Sequence, residues 1–362
     1  MMEDISPMRF DYQALPARVL FGAGRRRETP EVARQLGCAH PLIASTPEQK
    51  DLADAIASLF TGLRAHIFPE AAMHTPWDVT SRALAVARDA RADCLIAVGG
   101  GSAIGLAKAL ALRTGLPQIA LPTTYAGSEV TPIIGETQDG EKRTRRTLDV
   151  LPEAVIYDVE LTLTLPARLS ATSGLNAMAH AVEALYSVDA NPVTSIMAEQ
   201  GIAALAGALP EILANPASRD ARSRAQYGAW LCGTCLGSVG MALHHKVCHV
   251  LGGTFDLPHA DTHAIMLAHV VAYQAGAAPH AMRRIAHALE ADDAWSGLHA
   301  LAARLHVPQS LAEIGMPHDG IGRAADLVLQ QAYANPRTPG YDSIRAMLER
   351  AWRGAAPQPD SL

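Results

Sequence analysis

The sequence predicts an α/β domain built on a parallel sheet, followed by an all-helical domain. Three observations carry this. Short apolar strand candidates alternate with helical segments from Arg18 to Asp158. One of those strands passes through three consecutive glycines, Gly99-Gly100-Gly101, straight into a helical segment. Beyond Leu165-Pro166 the strand signals stop, and Ala/Leu-rich stretches with helical spacing fill the remaining chain. The boundary falls at 163/164, giving domains 1–163 and 164–362, with the cleft between them as the expected active site.

Taken in order, residues 8–24 read as an extended segment closed by glycines. A short helix over Glu28–Gly37 leads to a buried strand, Pro41-Leu-Ile-Ala-Ser-Thr46. Pro47–Leu63 has helical spacing and His66–Phe68 returns as a strand. Thr75 reads as an N-cap with Pro76 at the first helical position, opening a helix to about Arg88. A strand from Ala92 meets the glycines, and the helix behind them runs to about Leu112. Gln118–Pro122 is a buried strand that delivers the polar loop Thr123–Thr131. Lys142–Arg146 is a basic hairpin or loop, and Ala154–Asp158 closes the strand-bearing half. Helices are expected over 166–188, 191–214, 219–239, 241–252, 261–276, 280–290, 295–305, 309–315, 318–333 and 341–353.

The chain has 362 residues, 49% hydrophobic and 18% charged, enough for two domains with a sizeable core. A net charge of -6 without a basic run excludes a nucleic-acid footprint. No apolar run reads as a membrane span, and the N-terminus lacks the basic and apolar regions of a signal peptide. Five cysteines at irregular positions fit reduced thiols in a cytoplasm. Cys232-Gly-Thr-Cys235 has a redox spacing, but its Ala/Gly/Leu-rich surroundings read as a packed helix.

Two stretches carry chemistry. The glycines before a helix N-terminus allow backbone N–H groups to approach a phosphate, and the helix dipole favours the charge. The pattern is neither G-x-G-x-x-G nor Walker A. At the carboxyl end of the next strand, the Thr123–Thr131 loop lies where ligands of open α/β sheets bind. The second stretch, His245-Lys-Val-Cys-His249 through Pro258-His259, has three histidines in fifteen residues, with His244 just before. His245 and His249, at i and i+4, share a helix face, as do Asn176 and His180 upstream. Two such segments converging on one buried polar pocket make a site.

Together these residues resemble the iron-containing alcohol dehydrogenase superfamily over nearly the whole chain. The resemblance rests on Arg18–Gly24, Gly99-Gly-Gly-Ser102, Gly127-Ser-Glu-Val-Thr131, Leu161–Pro166, Asn176-xxx-His180, His245-xxx-His249-x-Leu-Gly-x5-Pro-His259, Asn335-Pro-Arg337 and Ala351-Trp-Arg-Gly354. Within it, Ser173–Tyr186 and Leu243–His259 are similar to a subgroup that reduces 2-maleylacetate to 3-oxoadipate in aromatic-compound degradation. The resemblance implies a Rossmann-like NAD(P)-binding domain, an all-α domain carrying the His cluster, and a homodimer. The implied cofactor is NADH.

Three departures matter. Metal-dependent relatives hold iron or zinc with Asp, His, His and His; the matching positions here are Asn176, His180, His245 and His259, so no metal is expected. Many relatives carry Asp where this chain has Gly105, and many end the second strand with Asp where this chain has Ser45-Thr46-Pro47, which leaves room for NADPH beside NADH. The resemblance places Gly99, Gly100, Gly101 and Ser102 on the pyrophosphate and adjacent ribose, Ser45 at the ribose end, and Thr123, Thr124 and Ser128 on the adenine or nicotinamide portions. Lys108 reads as structural. His180, His245 and His259 line the former metal pocket, His249 is the first candidate acid, and Asn176 holds His180 or substrate. Lys246 is a candidate carboxylate contact that points away from His245. The alternatives are a metal-dependent alcohol dehydrogenase acting on a small alcohol and a non-catalytic nucleotide-binding protein.

Overall fold

The structure, a computed structural model, describes residues 10–15, 17–138, 141–330 and 332–359. Six strands form one parallel sheet: β1 (Arg18–Phe21), β2 (Pro41–Ala44), β3 (His66–Phe68), β4 (Cys94–Gly99), β5 (Gln118–Pro122) and a last strand, β8 (Ala154–Tyr157). Their spatial order is β1-β8-β5-β4-β2-β3. Parallel strands joined by crossover helices are covered on both faces and so are apolar throughout. β4 shows this residue by residue. Cys94, Ile96 and Val98 pack with Val32, Ala53 and Ile56 on one side. Leu95 and Ala97 pack with Val79, Ala83, Ile104 and Ala107 on the other.

The chain steps from β2 outward to β3, then returns past β2 to β4 and continues through β5 and β8 in the opposite direction. The topological switch point therefore lies between the carboxyl ends of β2 and β4. Helices α1 (Thr29–Gln35), α2 (Lys50–Ala57), α3 (Trp77–Asp89) and α4 (Gly101–Thr114) make the crossovers. Between β5 and β8 stands an antiparallel hairpin, β6 (Ile133–Gln138) with β7 (Glu141–Arg146). Its basic second strand matches the hairpin expectation, whereas β6 is an addition. Met8, Arg9 and Pro16 of the expected first extended segment lie outside the described residues.

Nine helices are described after β8: α5 (Ala167–Tyr186), α6 (Pro192–Ala214), α7 (Arg219–Ser238), α8 (Leu243–Phe255), α9 (His259–Gln274), α10 (Pro279–Ala288), α11 (Ala294–Arg304), α12 (Gly320–Leu329) and α13 (Tyr341–Arg353). α8 buries Leu243, Val247 and Leu251, one turn apart, with Met266 and Val270 of α9 and Ile344, Met347 and Leu348 of α13. Three expectations need correction. The 309–315 segment forms turns rather than a helix, and α2 ends at Ala57, ahead of Gly62 at φ 80°. Thr75 does not cap α3; it sits at φ 47°, and Pro76 is the N-cap. By length and composition α6 is apolar enough to cross a membrane. Its buried residues Ala198, Ile202, Leu205, Leu209 and Ile212 form a single helical stripe, while Glu199 pairs with Arg284 and Glu211 with Arg224, the pattern of a core helix. Cys232 and Cys235 are buried in α7 and are not joined by a disulfide.

The chain divides into two compact units. One holds the sheet, from β1 to Ala177, together with Ala204–Gly233; the other holds Met178–Ala203 and the chain from Thr234 onward. The end of the strands at 163/164 and this division are different things, because α5, α6 and α7 each contribute to both units.

Candidate active site

In the sheet unit, the turn at the end of β4 is shaped by what cannot be there. Gly99 has φ 149°, and a Cβ on it would stand 2.7 Å from Gln49 Oε1 and 2.8 Å from the Ala103 Cβ. A Cβ on Gly100 would stand 2.8 Å from Thr124 Cγ2, whereas one on Gly101 would meet nothing within 4 Å. The N-cap of this 14-residue helix α4, Gly100, makes no side-chain cap, so no side chain of the cap residue takes up the first N–H groups. Gln49 Nε2 donates to Thr123 Oγ1 at 2.7 Å. Ser45, at the end of β2, is buried with its hydroxyl unpartnered, and Ser102 is half-buried in the first turn of α4. These groups gather at the switch point, where open α/β sheets bind ligands and a helix N-terminus favours an anion, and they make a cradle-shaped turn. At Gly105, a Cβ would lie 2.5 Å from Thr75 Oγ1, so the hydroxyl of Thr75 fills the place an aspartate would take.

Behind the cradle, Lys108 is fully buried. Its Nζ donates to the carbonyls of Ser128 (2.6 Å), Thr131 (2.7 Å) and Ile133 (2.8 Å) and to Thr131 Oγ1 (3.0 Å). Burial draws its pKa down to about 7, against the charge of Glu129. Ser128 thus gives its carbonyl to Lys108, with its Oγ 3.5 Å from the same nitrogen. Glu129 accepts from the Tyr157 hydroxyl at 2.7 Å, and burial raises its pKa.

The second unit gathers six histidines from three helices. α5 supplies His180, α8 supplies His244, His245 and His249, and α9 supplies His259 and His263. His180 Nδ1 lies 2.8 Å from His245 Nε2, and His244 Nε2 lies 2.9 Å from His263 Nδ1. The rings of His259 and His263 are 4.4 Å apart, and His249 stacks on His259 at 6.3 Å. His249 is exposed, His259 half-buried and Lys246 half-buried on the next face of α8. Asn176 precedes His180 by one turn of α5; its Oδ1 is buried and unpartnered.

Sequence reasoning missed the centre of this network. Glu183 is fully buried, and its Oε2 lies 2.6 Å from His245 Nδ1. It accepts the backbone N–H groups of Ala242 at 3.0 Å and His244 at 2.7 Å, the positive end of α8. Burial alone would raise its pKa; the hydrogen bond and charge of His245 outweigh that and bring it down to about 2. The available signal was spacing: Glu183 is i+3 from His180, on the same helix face. His263, i+4 from His259, carried the same signal. Burial lowers the pKa of His244 to about 3, helped by the charge of His245, and that of His263 well below its ordinary value, helped by His259.

The family's metal position can be tested on these donors. A divalent ion needs converging donors, and the metal-dependent relatives supply an anion among them at this position. Position 176 offers a neutral amide, and His180 and His245 hold a ring nitrogen against each other. Donor atoms within 4.8 Å of one another are instead brought together by His244, Cys248 and His263. The former metal position thus lacks the anion that the metal-dependent relatives supply.

Sheet, cradle and histidine helices define a member of one enzyme family. Residues 16–159 match the iron-containing alcohol dehydrogenase model and residues 170–352 its C-terminal model. The chain belongs to the iron-containing alcohol dehydrogenase family. It is 51% identical to the maleylacetate reductase of Rhizobium sp. (strain MTP-10005), over 96% of this chain and 99% of that one. The crystal structure of maleylacetate reductase from Agrobacterium tumefaciens superposes with a TM-score of 0.94 at 51% identity, covering 97% of this chain and all of that one. Sulfoacetaldehyde reductase from Bifidobacterium kashiwanohense, in complex with NAD+, shares the fold at 22% identity, with a TM-score of 0.87 over 95% of this chain and 99% of that one.

Proposed function

We propose that this chain is an NAD(P)H-dependent oxidoreductase that reduces the C=C bond of 2-maleylacetate to give 3-oxoadipate. The observation that carries the reading is the histidine network itself. Asparagine stands where the metal-binding carboxylate would be, the rings are hydrogen-bonded to one another, and relatives with half the sequence in common are named for this activity.

The cradle of Gly99, Gly100, Gly101 and Ser102 would hold the pyrophosphate, with Ser45 at the ribose end and Thr123, Thr124 and Ser128 beside the rest of the dinucleotide. A reduced nicotinamide held there would supply hydride to the alkene carbon β to the ketone. Charge then develops on the ketone oxygen, and the neighbouring carbon takes a proton. His259 would donate to that oxygen, and His180, His245 and His259 would, when protonated, face the carboxylates. Burial keeps His244 and His263 neutral, so those carboxylate contacts fall to the other rings and to Lys246. His249, exposed at the end of the ring row, is the proton donor of this reading, and Asn176 orients His180 or contacts substrate. A homodimer working without a metal completes the proposal.

The test is NADH oxidation with freshly generated maleylacetate, before and after exhaustive chelation, with bound metal quantified on the same sample. Turnover that survives chelation is expected. Activity lost to chelator and restored by Fe²⁺ or Zn²⁺ would overturn the metal-free mechanism. No turnover with maleylacetate, but oxidation of a small alcohol, would replace the proposal with the reaction for which the family is named.

A further inference from the structure

Glu183 is held in a way that limits its own state. Its Oε1 accepts the N–H of His244 at 2.7 Å and the hydroxyl of Tyr186 at 3.3 Å. Its Oε2 accepts the N–H of Ala242 at 3.0 Å and, more loosely, that of His245 at 3.4 Å. The remaining contact is His245 Nδ1 at 2.6 Å. Backbone N–H groups can only donate, so a protonated carboxyl could pass its hydrogen only to a bare His245 Nδ1 or to the Tyr186 hydroxyl, against three N–H groups that ask for an acceptor. An ionised carboxylate accepts from every side, and the first turn of α8 favours the anion.

We infer that Glu183 is a positioning residue that fixes the tautomer of His245, and through it the face that His180 turns to the substrate. An acceptor-only carboxylate requires the hydrogen of His245 on Nδ1. The Nε2 of a neutral His245 is then a bare lone pair. His180 Nδ1, 2.8 Å away, must donate to it. His180 in turn is left with Nε2 free of hydrogen. A fixed carboxylate on one helix thus dictates, through two rings, the donor and acceptor pattern of a third group's binding partner. Such outer partners commonly control the orientation and basicity of the imidazole they hold. The effect of this arrangement on turnover rests on the proposed reductase activity; the tautomer itself does not.

The experiment is long-range ¹⁵N–¹H NMR on chelator-treated enzyme labelled at histidine nitrogens, with His245 assigned by loss of its signals in His245→Asn. The expected wild-type pattern has hydrogen on His245 Nδ1 and a bare Nε2. In Glu183→Gln the amide can donate as well as accept, so the Nε2–H form should appear and kcat should fall at least tenfold. The KM for NADH should stay within twofold, and Glu183→Asp should restore the Nδ1–H form and part of kcat. A wild-type His245 carrying its hydrogen on Nε2 would overturn the inference without any variant. So would a folded Glu183→Gln enzyme with unchanged tautomer and kcat. If maleylacetate is not turned over while the wild-type tautomer is as stated, the reductase reading fails and the positioning role stands.

Discussion

Two buried polar networks, one in each compact unit, look alike in composition and differ in completeness. Lys108 is sealed in the sheet unit, and its three ammonium hydrogens have three backbone carbonyls and a hydroxyl to choose from within 3.0 Å. Nothing of Lys108 is left to offer a ligand. The histidine network is also buried at its core, yet His244 Nδ1 and His263 Nε2 stay unpartnered, and His249 reaches solvent. Burying a polar group without a partner costs about 1–3 kcal/mol. A fold that tolerates that cost among the rings and avoids it at Lys108 is using the two differently. The closed network holds the Ser128–Thr131 loop in place, and the open one is where the proposed chemistry is assigned.

The largest effect that would separate the two is on turnover. His249→Asn removes the proposed proton donor at an exposed position, so kcat should fall by about 10²–10³ with little change in melting temperature. A variant with near-normal kcat would move the proton donor elsewhere in the ring cluster. The mirror experiment is Lys108→Met. It strands three buried carbonyls, so unfolding free energy measured in urea should drop by about 3 kcal/mol, while kcat per folded molecule stays close to wild type. A stable Lys108→Met protein with lost activity would reverse the assignment, making the closed network the functional one.

The difference also explains what could be read in the sequence. The sheet, the cradle and the helices from α5 onward follow from local signals: period, glycine and proline placement, and i, i+4 spacing. His180, His245, His249 and His259 stand out because histidine pairs at helical spacing are visible in one dimension. Glu183 does not, since a glutamate in an Ala-rich helix is ordinary until α8 brings three backbone N–H groups to it. Strand β6 was hidden because Ile133–Gln138 has no period-2 pattern and depends on β7 for its pairing. Thr75 was read as a cap from its type and its proline neighbour. Its left-handed backbone is set by tertiary contacts, with its carbonyl accepting from Thr137 N–H at 3.3 Å.

A smaller effect sharpens the picture inside the cradle. Gly99→Ala would place a methyl group against Gln49 and Ala103 at a backbone angle that L-residues rarely adopt. Gly101→Ala places the same methyl group in open space. The first should weaken NADH binding about tenfold, near 1.4 kcal/mol, and the second by less than about twofold, as read by quenching of NADH fluorescence. Equal losses would mean that the ligand, rather than the surrounding protein, fills the space beside Gly101.

The smallest effect tests whether the inner rings of the open network stay neutral. His244 has its pKa lowered to about 3 by burial, then by the charge of His245. In the unfolded chain it titrates near ~6.5. Between those values the unfolded chain binds a proton that the folded chain does not, so stability is full above pH ~6.5 and is lost as pH falls below it. One such proton is worth up to about 1.4 kcal/mol for each pH unit. His244→Gln removes the titration while keeping a group able to hydrogen-bond His263. The loss of unfolding free energy between pH 7.5 and 5.5, taken from urea curves, should shrink in the variant by about 1 kcal/mol. An undiminished loss would mean that His244 takes up its proton in the folded state. The inner pair would then carry charge, and the carboxylates of the substrate would have a buried cation to meet.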